Sequence, residues 1–295
     1  DLAWSRGLGD VYKRQKESWL MKEYYRAIFI SDIHLGTKGT QANQLCNFLK
    51  YNDCDQLYLV GDIIDVWKLK RKVYWPQEHS NVIRRVLTMA KRGTKVHYIL
   101  GNHDEALRNW LSFDMRFGNI ELTNECVHQS KRGQRYLVIH GDLFDGIDSF
   151  NTWLYALGGH AYDVALFLNR WINIIRRSIG FAYWPLSRTL KAKVKRATNF
   201  VFKFESNVAT YCERQGYDGV ICGHIHTPEI RQIGNVVYMN DGDWVESCTA
   251  LVETQDGEFK IIDWHHHDED GIPEPRINLK KQEKEKKMSR EAIPQ

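Results

Sequence analysis

Short polar segments follow apolar, strand-like runs at five separate places in this 295-residue chain. Each segment contains aspartate, asparagine or histidine, the side chains that bind metal ions. They are Asp32-Ile33-His34, Gly61-Asp62, Gly101-Asn102-His103-Asp104, His140-Gly141-Asp142 and Gly223-His224-Ile225-His226. Because the strands of one α/β sheet deliver their carboxyl ends to a common crevice, we expect these segments to meet. Oxygen and imidazole ligands in this number suit two divalent ions, so the sequence predicts a two-metal hydrolase.

The candidate ligands differ in what each can supply. Asp32 and His34 are two residues apart at the exit of a strand, so both can face one ion. Asp62 ends the next strand and can bridge two ions, whereas Asn102 offers a neutral carbonyl oxygen. Imidazoles come from three further residues, His140, His224 and His226. An unpaired buried polar group costs about 1–3 kcal/mol, so a core with this many of them would be hard to stabilise without metal.

Composition is that of an ordinary globular protein, with 43% apolar and 26% charged residues. The net charge of +4 is mild and by itself favours neither nucleic acid nor a membrane as partner. Six cysteines without a CxxC pair indicate a reducing, cytosolic compartment and no disulfide framework. No apolar run reaches about 18 residues, so we expect any membrane contact to be peripheral.

Strand and helix patterns alternate in the central part of the chain. Continuous apolar runs predict strands buried on both faces, at 26–31, 56–60, 95–100, 135–139, 218–222 and 235–240. Helical patterns at about 40–51 and 78–92 separate the first three runs. A hairpin fits 248–254 and 258–264. We therefore expect an α/β fold with two packed sheets and helices on the outside.

The predicted domain covers residues 24–264. Within it, residues 145–215 form a helical insertion, interrupted near 180–185, that we interpret as a lid. Residues 1–23 show no clear period, and residues 265–295 are dense in charge and poor in aromatics. We expect both ends to be disordered.

The ordered set of motifs resembles that of the calcineurin-like metallophosphoesterases. Their pattern is Asp-x-His, Gly-Asp-x-x-Asp, Gly-Asn-His-Asp/Glu, a histidine and Gly-His-x-His, and the chain matches it throughout, over about 25–265. The resemblance implies a two-sheet sandwich flanked by helices and two metal ions. By that resemblance, one ion is bound by Asp32, His34, Asp62 and His226. The other is bound by Asp62, Asn102, His140 and His224.

The same resemblance implies catalytic roles for two further residues. His103 is then not a ligand but lies beside the ions, where it stabilises transition-state charge or protonates the leaving oxygen. Asp65 pairs with His103 and keeps it charged.

Longer segments are similar to the UDP-2,3-diacylglucosamine pyrophosphohydrolase group, at 58–67, 140–145 and 240–247. Those enzymes cleave the pyrophosphate of a lipid A precursor to UMP and a diacylated sugar phosphate. They use manganese and act at the inner face of the cytoplasmic membrane. The resemblance therefore implies two Mn²⁺ ions, a lipid-linked nucleotide as substrate and a cytoplasmic protein peripheral to that membrane; it implies no protein partner. The best-known branch has arginine where this chain has His103, and histidine is also compatible with phosphomonoester or diester hydrolysis.

The predicted insertion has an unusual composition. Residues 164–204 contain nine basic residues, eight aromatic residues and no acidic residue. Such a surface suits anionic lipid headgroups, or an acyl-chain pocket in which cations hold a diphosphate. We take Arg188, Lys191 and Lys195 as candidates for substrate binding. Two other interpretations stay open: a hairpin whose aromatics pack on the domain, and a surface for single-stranded nucleic acid, the least favoured of the three.

Three functions compete at this stage. The leading one is hydrolysis of an amphipathic nucleotide diphosphate. The second is a soluble, broad-specificity phosphodiesterase or phosphatase acting on a small or nucleic-acid substrate. The third is a protein-binding scaffold on the same fold, against which the complete set of ligand positions argues.

Overall fold

A computed structural model describes residues 22–108, 116–144 and 186–265, with the side chains of 116–117 and 186–198 left undescribed. These residues contain twelve strands: β1 Glu23–Ile30, β2 Asn52–Val60, β3 Lys95–Ile99, β4 Arg116–Phe117, β5 Ile120–Thr123, β6 Glu125–Gln129, β7 Arg135–Ile139, β8 Gly219–Cys222, β9 Glu229–Ile233, β10 Val236–Asn240, β11 Thr249–Glu253 and β12 Phe259–Asp263. They also contain four α-helices: α1 Ala42–Tyr51, α2 Val66–Arg71, α3 Gln77–Lys91 and α4 Leu186–Gln215.

The strands form two sheets. The seven-stranded sheet has the order β12-β11-β1-β2-β3-β5-β4, and the five-stranded sheet has the order β6-β7-β8-β10-β9. Strands β1, β2, β3 and β5 are parallel, as are β7, β8 and β10. The predicted α/β fold with two sheets and flanking helices is confirmed.

Alternate residues of the central strands face two different cores, which explains their continuous apolar sequence. Phe29 and Tyr58 of the larger sheet pack against Ile221 and Met239 of the smaller one. Their neighbours in sequence face outwards, where α1 and α3 cover the larger sheet. Helix α4 covers the smaller sheet through residues 204–212. The result is four layers, with the two sheets in the middle.

The two long helices near the amino terminus follow the predicted patterns at 40–51 and 78–92. Helix α1 buries Ala42, Leu45 and Phe48, which recur every three residues. Helix α3 buries residues at the same kind of spacing, including Val82 and Val86. This period places one apolar stripe on each helix towards the sheet.

Several short elements were not predicted. Strands β4, β5, β6 and β9 lie at or near sheet edges and mix polar with apolar residues, as in the partly exposed β9. Helix α2 is six residues long and buries none of its side chains. Helix α4 is the described part of the predicted insertion. Residues 145–185 lie outside the described residues, as do 1–21 and 266–295, so the domain boundaries stay predictions.

A polar cluster joins the two sheets in their shared core. The ring of His128, on the smaller sheet, is fully buried, with Nδ1 3.0 Å from the Tyr58 hydroxyl and Nε2 2.8 Å from Glu253 Oε2. The Lys131 amide donates to Glu253 Oε1 at 2.7 Å, and the Arg26 guanidinium lies 3.1 Å from Oε2. Burial raises the pKa of Glu253, but the combined lowering by His128, the Lys131 amide and Arg26 is larger. The net pKa is therefore below its usual value.

The structure also bears on the state of the cysteines and on membrane-spanning helices. All six cysteines lie among the described residues and are free thiols. In the described part of the chain, no helix combines the length and apolar character needed to cross a bilayer.

Candidate metal centre

The loops after β1, β2, β3, β7 and β8 converge at one end of the two sheets. The loops after β1 and β2 continue to pair beyond the strands, since the His34 amide donates to the Asp62 carbonyl at 2.9 Å. Contacts also cross between the sheets: the His224 amide donates to Asp32 Oδ2 at 2.8 Å, and His140 Nδ1 lies 3.0 Å from the Val60 carbonyl. Both sheets therefore contribute to one site.

Three overlapping groups of side chains have ligand atoms within 4.8 Å of one another: Asp32, His34 and His226; His34, Asp62 and His103; and Asp32, Asp62 and His140. Two carboxylates, Asp32 and Asp62, are each shared by two groups. Both are buried. Carboxylate and imidazole donors gathered in this way fit divalent metal ions.

Asp32 has one oxygen held in place and one oxygen free. Oδ2 accepts hydrogen bonds from the His224 amide and from the Ser31 hydroxyl, the latter at 2.6 Å. Oδ1 lies 3.1 Å from His226 Nε2 but has no hydrogen-bond partner among the described residues. Burial raises the pKa of Asp32, yet His226, His140 and His34 together lower it well below its usual range. A buried, ionised oxygen without a donor is what a metal ligand requires.

His140 shows the same fit from the other side of the site. Its Nδ1 faces the Val60 carbonyl, which fixes this nitrogen as the protonated one. The lone pair of Nε2 then faces Asn102 Oδ1 at 3.2 Å and Asp62 Oδ2 at 3.5 Å. His224 Nδ1 is 3.3 Å from the same nitrogen. Acceptors that face one another this closely are stabilised by a cation between them, and the backbone carbonyl orients the ring as metal-binding histidines require.

The protonation of His140 reflects that crowding. Burial lowers its pKa, but Asp62, Asp32 and Asp142 raise it more strongly, so the net pKa is well above the usual value. A positive charge at Nε2, either a proton or a metal ion, is therefore favoured at this position.

Five of the candidate ligands have left-handed backbone conformations. Their φ angles lie between +48° and +70°, at Asp32, His34, Asp62, His224 and His226. Residues other than glycine rarely adopt this backbone conformation, which costs about 1–3 kcal/mol for each residue. The surrounding loop contacts hold this strain, which turns the side chains towards one another.

Two glycines make room for the ligands. A Cβ atom on Gly101 would lie 2.2 Å from Asp62 Oδ1, and one on Gly61 would lie 2.3 Å from the His140 ring. Both distances are far below a van der Waals contact, so no larger residue fits without displacing a ligand.

His103 and Asp65 form a pair at the edge of the cluster. His103 Nδ1 lies 3.1 Å from Asp65 Oδ1, and its Nε2 lies 3.8 Å from Asp62 Oδ2. Burial lowers the pKa of His103, but Asp65 and Asp62 raise it more, so the net pKa is above its usual value. Asp65 Oδ1 also accepts from the Lys68 amide at 2.9 Å and thereby caps α2. The Trp67 ring packs on His103 with a centroid distance of 4.5 Å.

The structure thus brings together nine of the predicted site residues: Asp32, His34, Asp62, Asp65, Asn102, His103, His140, His224 and His226. The three candidates for substrate binding, Arg188, Lys191 and Lys195, lie on α4, and their side chains are outside the described residues.

Asp104 organises the loops, a role that sequence reasoning missed. Its side chain is fully buried and accepts from the Ile63 amide at 3.1 Å, the Ile64 amide at 3.0 Å and the Tyr98 hydroxyl at 3.1 Å. These bonds fix the loop after β3 to the loop that contains Asp62. Burial and the nearby Asp62 charge raise the pKa of Asp104 to about 6. Its place directly after Asn102-His103 was the available signal.

Sequence reasoning also missed the contact between Ser31 and Asp241. The Ser31 hydroxyl lies 2.6 Å from Asp32 Oδ2 and 2.7 Å from Asp241 Oδ1. Burial raises the pKa of Asp241 well above its usual value, so this carboxyl can contribute a proton to the chain of bonds. The two residues are 210 positions apart, and no spacing in the sequence relates them.

Comparisons with known proteins agree with this geometry. The family profile described as Calcineurin-like phosphoesterase matches residues 25–228. The chain is 25% identical over 255 residues to the UDP-2,3-diacylglucosamine hydrolase of Shewanella sp. (strain ANA-3), covering 79% of this chain and 95% of that protein. It is 24% identical over 249 residues to the protein of the same name from Psychromonas ingrahamii, covering 80% and 96%.

Similarity to solved structures is weaker. Vacuolar Protein Sorting 29 from Cryptosporidium parvum aligns with 80% of this chain and 94% of its own length, at 10% identity and a TM-score of 0.39. A predicted phosphoesterase from Streptococcus pneumoniae aligns with 85% and 92%, at 13% identity and a TM-score of 0.36. Values this low do not indicate a function.

Proposed function

Because this chain belongs to the calcineurin-like phosphoesterase family and is a metal-dependent hydrolase, we propose that it cleaves the pyrophosphate bond of a lipid-linked nucleotide. The proposed reaction converts UDP-2,3-diacylglucosamine to UMP and 2,3-diacylglucosamine 1-phosphate, a step of lipid A biosynthesis. The observation on which the hydrolytic chemistry rests is the Asp and His cluster around two buried carboxylates, beside the His103–Asp65 pair. The names of relatives that align along nearly their whole length support the choice of substrate.

The family and the cluster imply divalent metal ions, and we propose two Mn²⁺. One would be held by Asp32, His34, Asp62 and His226. The other would be held by Asp62, Asn102, His140 and His224. When bound, two such ions supply an activated water and neutralise charge on the phosphoryl oxygens.

The residues of the chain contribute orientation and proton control. Ser31 and the His224 amide fix one oxygen of Asp32, so that only the other is free. The His103 amide donates to Asp62 Oδ1 at 2.8 Å, which restricts the rotation of that carboxylate. Asp65 keeps the His103 imidazole charged, and this imidazole can stabilise developing negative charge or give a proton to the leaving phosphate oxygen.

Substrate recognition would involve α4 and the membrane. Arg188, Lys191 and Lys195 are spaced by three and four residues on α4, which places them on one side of a helix. We propose that they bind the diphosphate of the substrate, and that the protein acts in the cytoplasm, peripherally at the inner face of the cytoplasmic membrane. The proposal includes no protein partner and no nucleic acid.

A second candidate is a broad-specificity metallophosphodiesterase or phosphatase. This second candidate is favoured by His103, because the best-known branch of the UDP-2,3-diacylglucosamine pyrophosphohydrolase group has arginine at that position. An imidazole beside the cluster serves phosphomonoesters and diesters as well as pyrophosphates.

The test is hydrolysis by the purified protein with Mn²⁺, followed by phosphorus NMR, with UDP-2,3-diacylglucosamine and bis-p-nitrophenyl phosphate as parallel substrates. UMP release much faster than diester cleavage is expected. Rapid diester cleavage without UMP release would select the second candidate. An Asn102→Ala variant serves as the control for contaminating hydrolases, because it removes a ligand and should reduce either activity by about 100-fold or more.

A further inference from the structure

Residues 66–75, together with Lys38, form an exposed surface beside the candidate metal centre, and we call it the basic-aromatic surface. It comprises α2 and the segment that leads to α3. Its position is fixed by the site itself, since Asp65 caps α2 and the Trp67 ring lies on His103. Neither the candidate metal ligands nor the proposed chemistry uses the rest of this surface.

The surface exposes apolar side chains that folding would normally bury. Val73 is 76% exposed, and Trp67, Tyr74 and Trp75 are each exposed by more than a third. Helix α2 buries none of its residues. Four large apolar side chains exposed within nine positions form a cluster, and such clusters mark interaction sites.

The charge of the surface has one sign. Lys68, Lys70, Arg71 and Lys72 are all exposed, and no acidic residue occurs from 66 to 77. Among the described residues, none of these four is in a salt bridge. A fifth cation, Lys38, approaches from the loop after β1, with Nζ 6.0 Å from the Tyr74 ring centroid.

The surface is tied to the loop after β1. A Cβ atom on Gly36 would meet the Leu69 side chain at 2.9 Å, so the helix packs directly on that loop. The Gly36 amide donates to His79 Nδ1 at 3.0 Å, and the rings of Tyr74 and Trp75 pack edge-on against the same His79. These contacts hold the aromatic side chains in place before any partner arrives.

We propose that the basic-aromatic surface docks on an anionic lipid bilayer. Cations attract the negative headgroups, while indole, phenol and aliphatic groups enter the headgroup boundary. The most exposed apolar side chain is the aliphatic Val73, which can enter hydrocarbon but offers no face for stacking on a base; this favours lipid over nucleic acid. The inference extends the proposed function, because docking here would bring the metal centre to a substrate that resides in the membrane.

The test is sedimentation of the 295-residue protein with vesicles of phosphatidylcholine alone, or with about a third phosphatidylglycerol, at 0.1 M salt. The variant is K70Q/R71Q/K72Q, in which none of the changed residues belongs to the metal centre. The matched control is K91Q/R92Q/K95Q, which removes three exposed cations at the opposite, amino-terminal end of β3. Both variants have the same net charge, and thermal unfolding verifies that both are folded.

The wild-type protein and the control are expected to bind anionic vesicles, and the variant is expected to bind them about 100-fold more weakly. Each cation near a membrane surface contributes about fivefold in affinity, and the variant lacks three. Equal loss in both variants, retention by the test variant, or no binding by the wild type would each overturn the proposal. Binding to polyuridylate that depends on the three cations, with vesicle binding unchanged, would assign the surface to nucleic acid instead. Sedimentation with substrate-free vesicles measures docking alone. Cleavage of bis-p-nitrophenyl phosphate measures the hydrolytic chemistry and is expected to be unchanged in the variant. A failure of the docking proposal can therefore be distinguished from a failure of the proposed function.

Discussion

The contact between Asp65 and His103 leads to a quantitative prediction for catalysis. In Asp65→Asn the amide retains an acceptor for the Lys68 amide, so the start of α2 is preserved, but the negative charge facing His103 is lost. A charge-assisted contact such as the one between Asp65 Oδ1 and His103 Nδ1, which are 3.1 Å apart, contributes about 1.5–3 kcal/mol. Since about 1.36 kcal/mol corresponds to a tenfold change in rate, we expect kcat to fall roughly 10- to 150-fold. His103→Gln removes the imidazole itself and should lower kcat about 100-fold or more.

The double variant D65N/H103Q separates the proposed role from a merely structural one. If Asp65 acts by keeping His103 charged, the double variant is no slower than H103Q alone, since there is no imidazole left to charge. The assay is kcat on bis-p-nitrophenyl phosphate at saturating Mn²⁺, with D55N, which changes an exposed carboxylate on β2, as control. Asp65 Oδ2 also lies 3.6 Å from His34 Nδ1, so calorimetry should measure Mn²⁺ affinity in each variant. If the fold-decreases in kcat of the two single variants multiply in the double variant, the reasoning is refuted.

Three further predictions concern metal binding and stability. Gly101→Ala places a methyl group 2.2 Å from Asp62 Oδ1 and should weaken Mn²⁺ binding in calorimetry by about 10- to 100-fold, whereas Gly39→Ala, whose Cβ meets only a valine methyl at 3.2 Å, should bind normally. Glu253→Gln should lower the free energy of unfolding by about 1–3 kcal/mol at neutral pH. Because the folded pKa of Glu253 is lowered by His128 from 4.5, its contribution is present above that pH and lost as pH falls. Urea titrations should therefore show the unfolding free energies of the two proteins converging as the pH falls below 4.5, and a constant difference would contradict this assignment. Removal of metal by EDTA should lower the melting temperature, because the folded protein then loses the free energy of ion binding, and added Mn²⁺ should restore it; an unchanged melting temperature would count against a metal-stabilised centre.

The central strands could be predicted because burial on both faces leaves a continuous apolar run. Prediction was weaker where strands contain polar residues. Strand β2 begins at Asn52 rather than 56, and its first residues alternate between buried and exposed. The edge strand β9 has no buried residue and only two apolar ones, so its apolar signal was too weak to predict.

The candidate site could be predicted as a set of residues but not as a geometry. Ligand types directly after strands indicated which side chains would meet. The left-handed conformations of Asp32 and His34 could not be predicted, because neither residue type signals a positive φ angle in the way glycine does. The bond between Ser31 and Asp241 depends on how the loops after β1 and β10 come together, which only the fold determines.

The metal centre lies across the junction of the two sheets, and this has a consequence for the order of folding. Asp32, Asp62 and Asn102 follow strands of the larger sheet, whereas His140 and His224 follow strands of the smaller one. An intermediate with a single formed sheet holds only part of the donor set and binds ions weakly. Strong ion binding is therefore expected only after the two sheets have docked. Bound ions should then oppose separation of the sheets and slow unfolding.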